Sequence, residues 1–175
     1  MSGTRRIGIG LAALRVALGG GFLYEGLDKV IHFDGSTKAF DAAGFLKFAT
    51  LGTVPGGAEG AVVNPTHGMW VSLAGNPALM SAVNALVVAG EVAIGAAFIL
   101  GLATRIAGGA GALMMALFWI ASWDFAHGLV NEQFLYGIVA AFLAYAAAGE
   151  VYGLDALVER TPLVRRQPEL RYVLG

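Results

Sequence analysis

Four side chains near the end of the first apolar run could do chemistry together. Glu25, Asp28, Lys29 and His32 fall at i, i+3, i+4 and i+7, so a helix places them on one face. Further along, Trp123, Asp124 and His127 stand at helical spacing, with Glu132 just beyond them. Carboxylates and histidines that titrate near neutral pH are what proton-coupled reduction of a quinone requires, because protons must reach both ring oxygens. Tyr24 or Trp123 can pack on such a ring. Asp28, His32, Asp124 and His127 are therefore the candidate catalytic groups, and Glu25, Lys29, Tyr24, Trp123 and Glu132 the candidate binding groups. Lys29 and the histidines could instead hold a small anion such as thiosulfate. The bland alternative is that all of these are interfacial polar residues capping helix ends. The spacing of His32, His127 and an acid fits no metal signature, and no metal is expected.

Two more charges lie inside apolar runs, Arg15 and Glu91. At 1.5 Å per residue they sit roughly 12 and 16 Å from the same membrane side. An unpaired charge at such depth costs about 2.5–3.5 kcal/mol on insertion scales. The expectation is an Arg15–Glu91 ion pair, either purely architectural or flanking a proton or quinone site.

The elements that must position these groups follow from composition. Of 175 residues, 57% are hydrophobic and only 13% charged, against about a quarter charged in soluble domains. The fold expected is an all-α membrane protein, a bundle of four transmembrane helices over 7–30, 77–102, 106–123 and 132–149. The N-terminal run lacks a cleavage site and reads as a retained span. Asn76-Pro77 and Asn131 read as helix starts, and the 101–105 link makes the second and third spans antiparallel neighbours. Arg5, Arg6, Arg105, Arg160, Arg165, Arg166 and Arg171 share one side, which places both termini, including the 153–175 tail, in the cytoplasm of a multi-pass plasma (inner) membrane protein.

The long outer loop, 33–76, should hold a short interfacial helix starting at Ser36, with Phe40, Ala43, Gly44, Lys47, Phe48 and Leu51 on one face. A mere cap over the helix ends is the competing expectation. Trp70 and Trp123 read as interfacial aromatics and His67 as a solvated loop residue. Ala13, Ala17, Gly21 and Glu25 form a small-residue face expected to point into the bundle, as does Gly108 with Ala112. A weak internal repeat matches Asn84 and Gly90 with Asn131 and Gly137. No basic cluster suggests nucleic acid. The chain has no cysteine, so any redox step needs a quinone, another cofactor or a partner subunit.

Taken in order, Leu14-Arg15, Gly26-Leu27-Asp28-Lys29, Gly90-Glu91, Gly101-Leu102-Ala103-Thr104-Arg105, His127-Gly128 and Gly153-Leu154-Asp155 resemble the DoxX/DoxD family of small four-helix membrane proteins. The resemblance spans about residues 7–158 and puts Arg15, Asp28, Glu91 and Arg105 in the family's polar core. The long segment after Phe33 looks more like the DoxD-type chains. Some members are the membrane subunit of thiosulfate:quinone oxidoreductase, and others are membrane components of oxidoreductase complexes. What the resemblance implies is a quinone-interacting redox subunit with the lipid bilayer and further membrane or peripheral subunits as partners. The alternative is a non-catalytic anchor or assembly subunit of a larger respiratory or redox complex. A small transporter is a third reading, for which four helices leave little room.

Overall fold

The computed structural model describes residues 3–35, 37–49, 51–52, 61–62, 64–123, 128–167, 169, 172 and 174. Three helices are long and apolar enough to cross a membrane: α1 (Gly3–Ile31), α4 (Pro77–Leu100) and α5 (Thr104–Ser122). A shorter apolar helix, α6 (Glu132–Tyr145), completes a four-helix bundle. Between α1 and α4 lie α2 (Ala42–Phe48), a two-residue antiparallel pair β1 (Leu51–Gly52) and β2 (Ala61–Val62), and α3 (His67–Ala74). Short helices α7 (Asp155–Val158) and α8 (Pro162–Arg166) follow α6.

The helix starts have the local causes the sequence predicts. The Asn76 side chain accepts from the Ala78 and Leu79 N–H groups, with Pro77 in the first turn, and Asn131 accepts from Phe134 N–H. Gly101, at φ +65°, ends α4 in the left-handed conformation that costs glycine least. Asn84, matched to Asn131 by the repeat, does something else: its Oδ1 accepts the Ala42 N–H.

α1 packs antiparallel on α4, and α5 on α6, each through glycines that bring backbones together. A Cβ at Gly95 would lie 2.5 Å from Leu23 N, and one at Gly108 would lie 2.6 Å from Ala140 O. Gly19 faces Gly95 and Phe98, and Gly26 faces Glu91 and Val92. The buried face of α1 therefore runs through Gly8, Arg15, Gly19, Phe22 and Gly26. Ala13, Ala17 and Gly21 are exposed, so the expected small-residue face points away from α4. The reason is angular, since residues two apart in a helix, such as Gly19 and Gly21, point about 200° apart. The apolar core between the pairs is built from Leu18, Phe22, Ile94, Phe98, Met115 and Leu143.

A second, smaller core closes the loop end of the bundle, where Ala42, Ala43 and Leu46 of α2 meet Trp70, Ala74 and Met80. Asp41, rather than Ser36, caps α2 by accepting from Ala43 N–H, and Ser36 lies outside the described residues. That donation, more than any other influence, holds the Asp41 carboxyl below its ordinary pKa. The inward face of α2 is 42, 43 and 46, while Gly44, Lys47 and Phe48 are exposed. Helix α3 replaces the expected loop, with His67 at its first position. Trp70 is buried there, donating from Nε1 to Thr66 Oγ1 at 2.8 Å. Asn64 Nδ2 donates to Ile120 O at 2.7 Å, which ties this cap to the end of α5.

At the opposite, terminal end, α6 stops at Tyr145, four residues short of the expected span. Its 14 residues cover about 21 Å, less than the ~30 Å of a hydrocarbon core. The chain then turns at Ala147, φ +48°. Irregular backbone at membrane depth survives only where protein groups satisfy it. Arg15 does this, with Nη1 donating to Ala148 O at 2.7 Å and Nη2 to Tyr152 O at 3.2 Å.

Candidate functional site

The α1–α4 register decides which charges meet. Because Gly26 lies against Glu91, Lys29 stands one turn further along α1 and reaches back across to it. Lys29 Nζ is 2.9 Å from Glu91 Oε2 and 3.1 Å from Oε1. The same ammonium lies 3.4 Å from Glu25 Oε2, i,i+4 on its own helix, and 5.4 Å from the centre of the Phe40 ring. The Glu91 side chain is 4% exposed, Lys29 17% and Glu25 63%. One lysine thus bridges a buried carboxylate and a solvent-side one, with an aromatic face over it.

Arg15 and Glu91 do not pair. Arg15 sits eleven residues before Gly26, roughly 16 Å up the α1 axis from the level of Glu91. The expected pair assumed level helix ends, whereas the start of α1 overshoots and runs beside the segment after α6, where Gly8 faces Val151. Arg15 belongs to a separate network at the terminal end. Asp155 accepts from Ala103 N–H at 2.7 Å, Thr104 N–H at 3.1 Å and Thr104 Oγ1–H at 2.9 Å, and acts electrostatically on Arg15. Arg15 and Asp155 are both buried. A Cβ at Gly101 or Gly153 would strike Arg15 Nη1, so glycine at both positions is what admits the guanidinium. This network caps helix ends and is architectural.

The Lys29–Glu91 pair forms part of the wall of a cleft of about 330 Å³ between α1, α2, α4, α5 and α6. Glu25, Glu132, Gln133 and Tyr136 supply its other polar groups, and Phe40, Phe45 and Phe118 its aromatic ones. A second cleft of about 350 Å³ shares Glu25, Glu91, Met115 and Tyr136 with the first. Together they make a mostly apolar hollow with ionisable groups at one end, the form of a site for an amphiphile.

Of the residues singled out from sequence, Glu25, Lys29 and Glu132 converge here, joined by Glu91. Tyr24, Asp28, His32 and Trp123 do not line either cleft. Asp28 Oδ1 accepts Phe33 N–H at 2.9 Å, and His32, at φ +56°, donates its N–H to Asp28 O, so these two residues end α1. Tyr24 stacks on Phe33, 5.4 Å between ring centres. Trp123 stacks on Trp119, which also meets Phe134. Asp124 and His127 lie outside the described residues. Gln133, Tyr136, Phe45 and Phe118 line the cleft without having stood out in the sequence, and Phe40, expected only on the face of the loop helix, lines it too. Tyr136 stands four residues after Glu132, so the helical spacing could have found it.

A family model described as DoxX matches residues 10–124. That range holds Arg15, Lys29 and Glu91 and stops before α6, which supplies Glu132 and Tyr136 to the cleft. Searches of the curated proteins and of the solved structures give no match. With a family model covering about two thirds of its length and apolar helices of spanning length, the chain is a multi-pass membrane protein and belongs to the DoxX family.

Proposed function

We propose that this protein is a membrane redox subunit that takes a quinone into the cleft beside Lys29 and Glu91. The observation that carries this reading is the buried ion pair exposed to a largely apolar hollow at the level of membrane-spanning helices. The residues fit a quinone headgroup. Lys29, its three donors directed at Glu25 and Glu91, sets a positive charge beside a ring oxygen, Tyr136 offers a hydroxyl donor across the cleft, and Phe40, Phe45 and Phe118 present ring faces to pack on. A quinone bound there supplies a sink for two electrons and two protons. Glu25, exposed and linked through Lys29 to Glu91, and Glu132 at the cleft edge are placed to pass protons inward. With no cysteine in the chain, the electrons come from a reductant oxidised on a partner subunit or at another surface.

Thiosulfate fits as that distant reductant and not as a ligand of this cleft. Three carboxylates, Glu25, Glu91 and Glu132, face one lysine, whose ammonium is already engaged by two of them. A dianion would meet net negative charge in a low-dielectric hollow. In the balanced reaction two thiosulfate ions each give up one electron as the S–S bond of tetrathionate forms, and the quinone takes both electrons with two protons. The arginines at the terminal end support both termini in the cytoplasm of a plasma (inner) membrane, with the cleft toward the outer side.

The test is quinone retention by the purified protein in detergent. The wild type is expected to carry or bind quinone, and Lys29→Met and Glu91→Gln to lose about tenfold or more in affinity. A wild type that neither carries nor binds any quinone overturns the proposal and leaves the anchor reading.

A further inference from the structure

The second cleft runs from the Glu91 end of the site along α1. It starts at Glu25 and Glu91 and follows the seam between α1 and α6 past Gly21 and Ala17 to Leu14. From Glu25 to Leu14 is roughly 16 Å along α1, about half a hydrocarbon core. Apart from Tyr136, its walls beyond the carboxylates are apolar, with Leu18, Phe22 and Val139 among them. Gly21 and Ala17 lie on the face of α1 turned away from α4, and a Cβ at Gly21 meets nothing within 4 Å. Their smallness therefore serves no helix contact on the α4 side. It keeps a hollow open in a surface that leucine would fill.

We infer that this seam holds the hydrocarbon tail of the molecule whose head lies at Lys29 and Glu91, and that Ala17 and Gly21 set a preference for long-chain ligands over tail-less ones. This rests on the quinone reading above. The occupant is one isoprenoid or alkyl chain joined to the headgroup, because the two clefts share Glu25, Glu91, Met115 and Tyr136 and one molecule can lie in both. Entry is then sideways from lipid, between α1 and α6.

The full chain in detergent would be titrated with long-chain ubiquinone and menaquinone and with each tail-less ring, for the wild type, Gly21→Leu and Ala17→Leu. The quantity read is the ratio of long-chain to tail-less affinity. Each leucine is expected to lower that ratio about tenfold, while helix content and melting temperature stay at the wild-type values. A ratio unchanged in both variants, with the tail-less ring still bound, overturns the tail site and leaves the headgroup site standing. Failure of the wild type to bind either form overturns both. If the leucines change only the oligomer size seen by sedimentation, the stripe is a contact with a second copy and the inference falls.

Discussion

Lys29 is the residue on which the site turns, because it is the partner of a carboxylate that has almost no water. Removing one member of a buried pair costs about 3–5 kcal/mol, mostly from the charge left behind. Lys29→Met is therefore expected to lower the melting temperature sharply. Glu91→Gln should cost much less, since Lys29 keeps Glu25. Combining Lys29→Met with Glu91→Leu should recover most of the loss, and a thermal-melt double-mutant cycle checks this. Additive losses would mean that the two side chains do not act as a pair. Glu25, Lys29 and Glu132 were legible in the sequence because helical spacing is local. The Glu91 partner was not, because it depends on how far one helix slides along another, and no single segment encodes that.

Among elements, the α1–α4 seam and the α2 cap make separate demands. The seam has no room at Gly95, where a side chain meets the Leu23 backbone. Gly95→Ala should destabilise by about 1–3 kcal/mol, the usual cost of overpacking, while Gly21→Ala should leave melting unchanged. Equal effects at the two positions would contradict the assigned faces. The α2 cap has a pH dependence of definite sign. The Asp41 carboxyl is held below its ordinary value, so its contribution is complete above about pH 3.9 and is lost as pH falls through the lowered value. Hydrogen exchange at the Ala43 amide should be pH-corrected and constant near neutrality, then lose protection on acidification; protection that is flat down to the acid limit would argue against the cap. Helix starts such as Asn76 and Asn131 were readable because a cap and its helix are neighbours in sequence. Helix α3 was not, since Trp70 is held by Thr66 while Asn64 reaches Ile120 on a distant helix. With 26 glycines in the chain, composition alone could not separate the glycines that make the seam from those that line a hollow.

For the whole molecule, two charged networks sit at opposite ends of one bundle and do different work. Arg15 and Asp155 close the terminal end, and Lys29 with Glu91 opens on the cleft at the other. Arg15→Leu removes a buried cation that interacts with Asp155 and the guanidinium donors to the Ala148, Val151 and Tyr152 carbonyls. It should lower folded yield by more than any cleft substitution, yet the protein that does fold should bind quinone with wild-type affinity. Parallel loss of affinity in the folded fraction would show that the two ends are coupled. The cysteine-free chain also allows a clean topology experiment. Lys38→Cys should react with an impermeant maleimide in intact cells, and Arg160→Cys only after lysis. The most direct measurement of the central claim is photo-crosslinking of the purified protein with an azido-quinone, followed by mass spectrometry of the labelled peptides. Labels are predicted on the α1 stretch holding Glu25 and Lys29 and on the α6 stretch holding Glu132 and Tyr136. Labels confined to the Trp119–Trp123 face, or no specific labelling, would contradict it.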